Sequence, residues 1–166
     1  GIHGRTEATG RGVFYCIQEY CDQASEMKAL KMSKGTKGKT MVIQGLGNVG
    51  SYTGTICQDE GGIKVIAVSE YEGSIYDPNG IDIHALIEYR KQNGTILGFG
   101  KSKKLKSRFA ALELECDILV PAALENQITG LNASKIKAKI IAEAANGPVT
   151  SVAEDILAKK GIIIIP

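Results

Sequence analysis

The sequence predicts an α/β domain built around a doubly wound, mostly parallel β-sheet of the Rossmann type. Short apolar runs that fit buried strands alternate along the chain with segments of helical length and spacing. These runs are continuously apolar, which is typical of strands covered on both faces of a parallel sheet. A glycine-rich loop directly follows the first of these runs, at a position where such sheets bind ligands.

Length and composition limit the class of protein. A chain of 166 residues is long enough for one domain with a substantial core. The net charge of +2 creates no overall field that favours nucleic acid, and no apolar run approaches the roughly 20 residues that span a bilayer. We expect no nucleic-acid partner and no membrane contact. Without a visible signal peptide, we expect a cytoplasmic or mitochondrial-matrix protein that is not secreted.

The cysteines and histidines show no catalytic or metal-binding pattern. The four cysteines form no C-x-x-C pair, and we expect buried structural thiols in a reducing compartment. His3 and His84 are isolated in the sequence, and no Ser/His/Asp set is present. We therefore predict no metal site and no catalytic residue in this chain.

The first half of the chain is predicted to contain a helix, a strand, a helix and a second strand. Apolar residues at helical spacing predict the first helix over residues 9–32. The two strands fall at residues 40–44 and 63–69, with a helix at residues 48–60 between them. Turn formers in residues 72–80 then predict a loop or a small hairpin.

The second half continues this alternation around one basic segment. Asp82 can cap a helix that Asn93-Gly94 closes. Residues 101–108 are rich in lysine and contain no acid; we favour a solvated loop, with phosphate binding as the alternative. The remaining predicted elements are strands at residues 117–120, 139–143 and 162–165, a short helix within residues 128–137, and a helix after a capping box at residues 151–154.

The glycine-rich loop and a later acid together match a dinucleotide-binding fingerprint. Gly45 permits a tight turn out of the strand, Gly47 lets a pyrophosphate approach the backbone, and Gly50 allows close helix packing. The N–H groups that begin the next helix would face the phosphates. Glu70 follows Gly50 by twenty positions, at the end of the second strand. The loop reads Gly45-Leu46-Gly47-Asn48-Val49-Gly50, and an ordinary strand-turn-helix is the alternative interpretation.

The residues that follow the predicted strands are the candidate ligand contacts, because ligands bind at the carboxyl ends of such sheets. The Glu70 carboxylate can accept hydrogen bonds from both ribose hydroxyls and would repel a 2′-phosphate, which favours NAD over NADP. A plain surface carboxylate is the alternative. Tyr71 adjoins it, and Ala122 and Ala123 are small enough for a ribose or nicotinamide to lie against the backbone. Asn146 offers an amide for a carboxamide, or is only a turn residue.

Four segments of the sequence together resemble the glutamate dehydrogenase family, which also includes leucine, phenylalanine and valine dehydrogenases. They are residues 4–13, 44–50, 116–123 and 142–148. The resemblance runs over essentially the whole chain. It implies a single cofactor domain over residues 1–166, with NAD as the cofactor and NADP possible.

The resemblance also implies roles for individual residues. Thr9 and Asn146 would hold the nicotinamide end of the cofactor, and Arg5 would face the cleft near the substrate carboxylate. From the residue types alone, a cation, hydroxyls and glycines at the start of the predicted first helix also suit a carboxylate or carboxamide. The other implied contacts are Gly47, Asn48 and Val49 at the pyrophosphate, Glu70 at the adenosine ribose, and Ala123 and Gln127 along the groove.

The resemblance further implies oxidative deamination of L-glutamate to 2-oxoglutarate and ammonia in a homo-hexamer. It places the catalytic lysine and aspartate in a preceding substrate domain, so we expect this chain to be a fragment that is inactive alone. One alternative is the cofactor domain of a leucine-, valine- or phenylalanine-type dehydrogenase. The other is a stand-alone nucleotide-binding regulatory module.

Overall fold

The strands and helices alternate along the chain much as predicted. A computed structural model describes residues 2–123 and 125–166, without the side chains of residues 2 and 3. Over these ranges the strands are β1 Thr40–Gln44, β2 Lys64–Glu70, β3 Gly73–Tyr76, β4 Lys103–Lys104, β5 Ile118–Pro121, β6 Ile140–Ala142 and β7 Ile163–Ile165. The helices are α1 Ile2–Cys21, α2 Ala24–Ala29, α3 Asn48–Asp59, α4 Ile83–Asn93 and α5 Ser151–Lys159, with 3-10 turns at Ala110–Glu113 and Ala133–Lys135.

The described strands form one sheet in the order β4-β3-β2-β1-β5-β6-β7. Strand β1 pairs in parallel with β2 and β5, and β6 pairs in parallel with β5 and β7. The antiparallel pairs join β2 to β3 and β3 to β4. This arrangement confirms the doubly wound, mostly parallel sheet and the predicted hairpin. The strand order reverses direction between β1 and β5, so the carboxyl ends of these two strands form the switch point where ligands bind.

Each face of the sheet is covered by its own apolar layer. In β1, Met41 and Ile43 lie in the layer that contains α1, α3 and α4, whereas Val42 lies in the layer that contains α5. The same alternation occurs in β5, where Ile118 faces the first layer and Leu119 the second. The strands are buried on both faces, and this explains why their sequences are continuously apolar.

A bulge in β2 sets the position of its last residue. The pairing register with β1 shifts between Met41 and Val42, so Ile66 is an extra residue in β2. Ile66 and Ala67 consequently both lie in the second apolar layer. A bulge of this kind re-aims the residues that follow it. After the bulge Ser69 pairs with Gln44, and Glu70 lies one residue beyond the end of β1.

The N-terminal helix differs from the prediction in two ways. The single helix over residues 9–32 is wrong, because α1 ends at Cys21 and α2 is a separate helix. The carbonyl of Cys21 accepts a hydrogen bond from the N–H of Gly35 at 2.7 Å, so it is paired outside the helix. The start is also earlier, at Ile2, so residues 6–12 lie beyond the first turn of α1. Thr9 is therefore inside the helix and does not begin it, contrary to what the sequence suggested.

Several boundaries in the second half are confirmed and others are corrected. Asp82 caps α4 by accepting the N–H of Ala85 at 3.3 Å, and Gly94 ends the helix in the left-handed conformation. Helix α5 is capped by Thr150, not Ser151, through the N–H of Ala153 at 3.2 Å. The short helix predicted within residues 128–137 is only a 3-10 turn. The basic segment at residues 101–108 is not simply a loop, because Lys103 and Lys104 form β4 against β3, although both are exposed as predicted. Over the described residues, no helix combines the length and apolarity needed to span a bilayer.

Three of the four cysteines are buried and one is not. Cys21, Cys57 and Cys116 lie in the apolar layers, and burial raises the pKa of the Cys57 and Cys116 thiols to about 12. Cys16 is exposed on α1, which contradicts its assignment as a buried thiol. Helical spacing places it on the outer side of α1, next to exposed Tyr15, while Ile17 faces the core.

Candidate functional site

The glycine-rich loop connects β1 to α3, and its glycines serve different purposes. Gly45 has a φ of +98°, and a Cβ there would lie 2.8 Å from the Cβ of Ala123. A Cβ at Gly50 would lie 1.9 Å from the carbonyl oxygen of Gly45. Gly47 is exposed, and a Cβ there would meet no atom within 4 Å. Packing therefore requires glycine at 45 and 50, whereas Gly47 leaves open backbone at the surface.

The N-terminus of α3 can hold an anion. Gly47 is the N-cap and provides no side chain to accept the first N–H groups of the helix. The first turn contains no acidic residue, Asn48 is exposed, and Val49 is half-buried. Helix N-termini with free N–H groups bind phosphate well. The residues present here thus fit a pyrophosphate.

Glu70 lies beside this loop and is bound to it. One carboxylate oxygen accepts the N–H of Leu46, and the other accepts the N–H of Tyr71 at 3.0 Å. The Glu70 side chain is only 13% exposed, so Glu70 is not a simple surface carboxylate. The acid and the loop, twenty residues apart in sequence, form one unit at the carboxyl edge.

A cavity of about 220 Å³ adjoins Glu70 at the ends of β1, β2 and β5. Arg108 lies with its guanidinium carbon 5.5 Å from the ring centre of Tyr71, and the Tyr71 side chain is exposed at the rim. The cavity therefore combines a polar wall with an aromatic ring that a base can stack on. Its described lining is Gln44, Gly45, Ser69, Glu70, Tyr71, Arg108, Ala123 and Gln127.

Gln44 is a member of this lining that the sequence did not indicate. Its Nε2 donates to Oε1 of Gln127 at 2.6 Å. Its own Oε1 is buried and has no hydrogen-bond partner among the described residues. Buried polar groups are normally paired, so this oxygen remains available to a ligand donor. A polar residue at the end of an apolar strand was the only sequence signal for this role.

A second cavity, of about 350 Å³, lies on the other side of the glycine loop, against α4. Arg90 and Lys91 line it together with Leu46, Gly47 and Asn48. Nothing in the sequence linked α4 to the loop, because the two are separated by more than thirty residues.

The residues assigned to the nicotinamide end are more dispersed. Ala122 donates its N–H to the carbonyl of Gln44 at 2.8 Å, which holds β5 to β1 at the switch point. Asn146 is exposed beyond the end of β6. Thr9 and Arg5 are exposed on α1, where the Thr9 hydroxyl donates to the Arg5 carbonyl at 3.0 Å. The described linings of the two cavities do not include Thr9, Arg5 or Asn146.

Within the part of the chain that the structure describes, neither cavity at this edge is lined by a histidine or a cysteine. His84 is exposed on α4 and its Nε2 lies 2.7 Å from Asp59, while the side chain of His3 lies outside the described part of the chain. Over residues 2–123 and 125–166, no three His, Cys, Asp or Glu side chains form a group that could hold a metal ion. Arg108 is the one member of the basic segment that lines the 220 Å³ cavity in its described part.

Sequence and structure comparisons agree on one family. The sequence profile of the glutamate/leucine/phenylalanine/valine dehydrogenases matches residues 1–166. The chain is 48% identical to mitochondrial glutamate dehydrogenase of Dictyostelium discoideum and 43% identical to glutamate dehydrogenase of Thermotoga maritima, each over 100% of this chain. It covers 33% and 38% of those proteins, so it spans about a third of their length.

The fold gives the same result. A hetero-hexameric glutamate dehydrogenase from Thermus thermophilus superposes with a TM-score of 0.80 and 26% identity, over 97% of this chain and 35% of that one. The matching profile covers the full sequence, which includes the loop, Glu70 and the switch point. The chain therefore belongs to the glutamate/leucine/phenylalanine/valine dehydrogenase family.

Proposed function

We propose that this chain is the cofactor domain of a glutamate dehydrogenase and that it binds NAD at the carboxyl edge of its sheet. The observation that carries this proposal is the contact between Glu70 and the glycine loop. One carboxylate oxygen accepts the Leu46 N–H, so the acid is held beside the anion-binding start of α3. The pyrophosphate and the adenosine ribose are neighbours in a dinucleotide. The site for the phosphates and the acid for the ribose hydroxyls must therefore lie close together.

Each part of the cofactor has candidate contacts. The first N–H groups of α3, with Asn48 and Val49, would hold the pyrophosphate, and Glu70 would accept from the adenosine ribose. The cavity of about 220 Å³ is suited to the adenine, with Tyr71 at its rim and Ala123 and Gln127 in its wall. Thr9, Asn146 and the backbone at Ala122 would hold the nicotinamide end.

The reaction we propose is oxidative deamination of L-glutamate to 2-oxoglutarate and ammonia, with the domain supplying orientation. Bound nicotinamide would accept the hydride that leaves the substrate. This chain would fix the cofactor, and Arg5 would face the substrate carboxylate across a cleft. The relatives are about three times as long as this chain, so we propose that the acid-base groups lie outside it and that residues 1–166 alone do not turn over.

Binding titrations test the cofactor part of the proposal. Calorimetry on the complete protein should show NAD+ binding more tightly than NADP+. Gly47→Val should lower the affinity for both cofactors, because a side chain there would stand where the pyrophosphate approaches the backbone. Lys101→Met, on an exposed segment outside both cavities, is the control and should change neither. Absence of binding by either cofactor would overturn the proposal.

Activity assays test the substrate and the enzyme class. The complete protein should oxidise L-glutamate far faster than L-leucine, L-valine or L-phenylalanine, with NAD+ in excess. Preference for one of the apolar amino acids would assign it to another branch of the family. Binding without turnover of any of them would favour a stand-alone nucleotide-binding module. Size-exclusion chromatography with light scattering should show a hexamer, and fractionation should place the protein in the cytoplasm or the mitochondrial matrix.

A further inference from the structure

Arg90 connects α4 to the acid at the end of β2. Its Nη2 lies 3.3 Å from a carboxylate oxygen of Glu70. The same guanidinium forms two hydrogen bonds with Glu72, in which Nε donates to Oε2 at 3.0 Å and Nη2 donates to Oε1 at 3.1 Å. Glu72 in turn accepts the backbone N–H of Ile96 at 2.8 Å. A single cation is thus shared by two acids at the cofactor edge.

The contact with Glu72 fixes the orientation of the guanidinium. Arginine and a carboxylate that meet through two parallel N–H···O bonds hold each other in one geometry. The Glu72 side chain is 19% exposed and the Arg90 side chain 33% exposed, so both are partly shielded from water. Arg90 therefore does not depend on Glu70 for its placement. Loss of the Glu70 carboxylate would leave a fixed cation facing the space that this carboxylate occupies.

That space is where the two dinucleotides differ. An acid at the end of the second strand binds the ribose 2′-hydroxyl, and an arginine nearby can accept a 2′-phosphate instead. Arg90 also borders the cavity of about 350 Å³ beside the glycine loop, where Lys91 is a second cation. A phosphate group added to the ribose hydroxyl at Glu70 would therefore have room and positive charge on its α4 side.

We propose that Arg90 is a specificity-determining residue. It is a fixed cation that would bind the 2′-phosphate of NADP, and the Glu70 carboxylate prevents this contact. Glu70 acts against NADP in two ways, through its own negative charge and by occupying Nη2 of Arg90. The inference rests on the proposed function, since it concerns the same cofactor site. It predicts that removing Glu70 converts the site toward NADP only while Arg90 is present.

A double-mutant cycle on the complete protein tests this dependence, with calorimetric titrations of NAD+ and NADP+. Glu70→Ser should raise the affinity for NADP+ relative to NAD+ by at least about tenfold, the size of one charge-assisted phosphate contact. The double variant Glu70→Ser with Arg90→Met should lose most of that gain. Glu70→Ser with Arg90→Lys should keep part of the gain, because lysine retains the positive charge but not the paired N–H donors of the guanidinium. Glu70→Ser with Lys101→Met is the matched control and should keep all of it.

The ratio of the two affinities separates this role from a merely structural one. Damage to the fold lowers the affinity for both cofactors alike, so it cancels in the ratio of the two affinities. If the variant with Arg90→Met does not fold, the variant with Arg90→Lys provides the test. The gain in Glu70→Ser should also shrink as salt is added, because a phosphate-guanidinium contact is screened. The inference is overturned if the gain in affinity for NADP+ relative to NAD+ is equal with and without Arg90. It is also overturned if Glu70→Ser shows no gain while it still binds NAD+. Failure of the wild-type protein to bind either cofactor overturns the proposed function instead.

Discussion

The first and last glycines of the loop are in contact: a Cβ at Gly50 would lie 1.9 Å from the carbonyl oxygen of Gly45. The loop is therefore closed on itself, and α3 begins directly against the end of β1. Gly45 is in turn confined by Ala123, whose Cβ would be 2.8 Å from a Cβ at Gly45. The shape of the anion site thus depends on the absence of two particular side chains.

Gly50→Ala should destabilise the protein, since neither the carbonyl of Gly45 nor the start of α3 can move away without disrupting the loop. We expect the free energy of unfolding to fall by roughly 1–3 kcal/mol or more, as in overpacked cores. Gly47→Ala is the matched control, because its φ of −76° suits alanine and no atom lies within 4 Å. Urea denaturation should show a smaller loss of stability for Gly47→Ala, no more than the roughly 1 kcal/mol expected because alanine is a poorer N-cap than glycine. Equal stability of the Gly50 and Gly47 variants would contradict the packing argument.

Replacing either of two glycines inside α1 by alanine should change the stability of the protein, in opposite directions for the two positions. A Cβ at Gly10 would lie 2.7 Å from the Cβ of Tyr52 and 2.9 Å from the backbone nitrogen of Thr53, so Gly10→Ala should force α1 away from α3 and destabilise the protein by roughly 1–3 kcal/mol. Gly12 has no atom within 4 Å of a Cβ position. Gly12→Ala should therefore stabilise the helix by about 0.5–1 kcal/mol. Thermal unfolding of the two variants side by side distinguishes these effects.

Local signals in the sequence sufficed for the parallel strands, the glycine loop and α4. Continuous apolar runs marked strands because both faces of the sheet are covered. Asp82 and Gly94 marked the ends of α4 because a cap and a left-handed turn each need particular residue types. Glu70 could be located because its distance from the loop is set by one helix and one strand.

Contacts between distant elements could not be predicted in this way. Arg90 reaches Glu70 only because α4 packs beside the loop, and no local pattern records that. Gln44 was counted with an apolar strand, although its amide faces the cavity and Gln127. The boundary between α1 and α2 was missed because apolar spacing continues through it. The hydrogen bond from Gly35 to the Cys21 carbonyl at this boundary joins residues distant in sequence, so no local pattern records it.

Thr53 offers a test of buried polar groups in α3. The residue is fully buried, and its Oγ1 has no hydrogen-bond partner within the part of the chain that the structure describes. Thr53→Val removes this hydroxyl with little change in volume, so it should stabilise the protein by about 1 kcal/mol. Thr55→Val is the control: the Thr55 hydroxyl donates to the carbonyl of Tyr52 at 3.2 Å, and its loss should give no stabilisation. Chemical denaturation that shows Thr53→Val less stable than wild type would contradict the expectation.

Glu143, just beyond β6, should make stability depend on pH. Burial raises the pKa of its carboxyl, and the nearby charge of Glu154 raises it further. A carboxyl whose pKa is higher in the folded than in the unfolded state destabilises the fold when ionised. Glu143→Gln should therefore raise the melting temperature at pH 7.

The stabilisation by Glu143→Gln should disappear at low pH, because it depends on the ionised form of the Glu143 carboxyl. As the pH falls through the raised pKa of Glu143, the wild-type carboxyl becomes protonated in the folded state and the penalty shrinks. Below the unfolded value of about 4.3 both states are neutral and the advantage of glutamine is gone. Melting curves from pH 7 to pH 4 should show the difference between Glu143→Gln and wild type narrowing. Glu88→Gln, at an exposed position on α4, is the control. A gain for Glu143→Gln that stays constant over this range would show that the charge of Glu143 is not its cause.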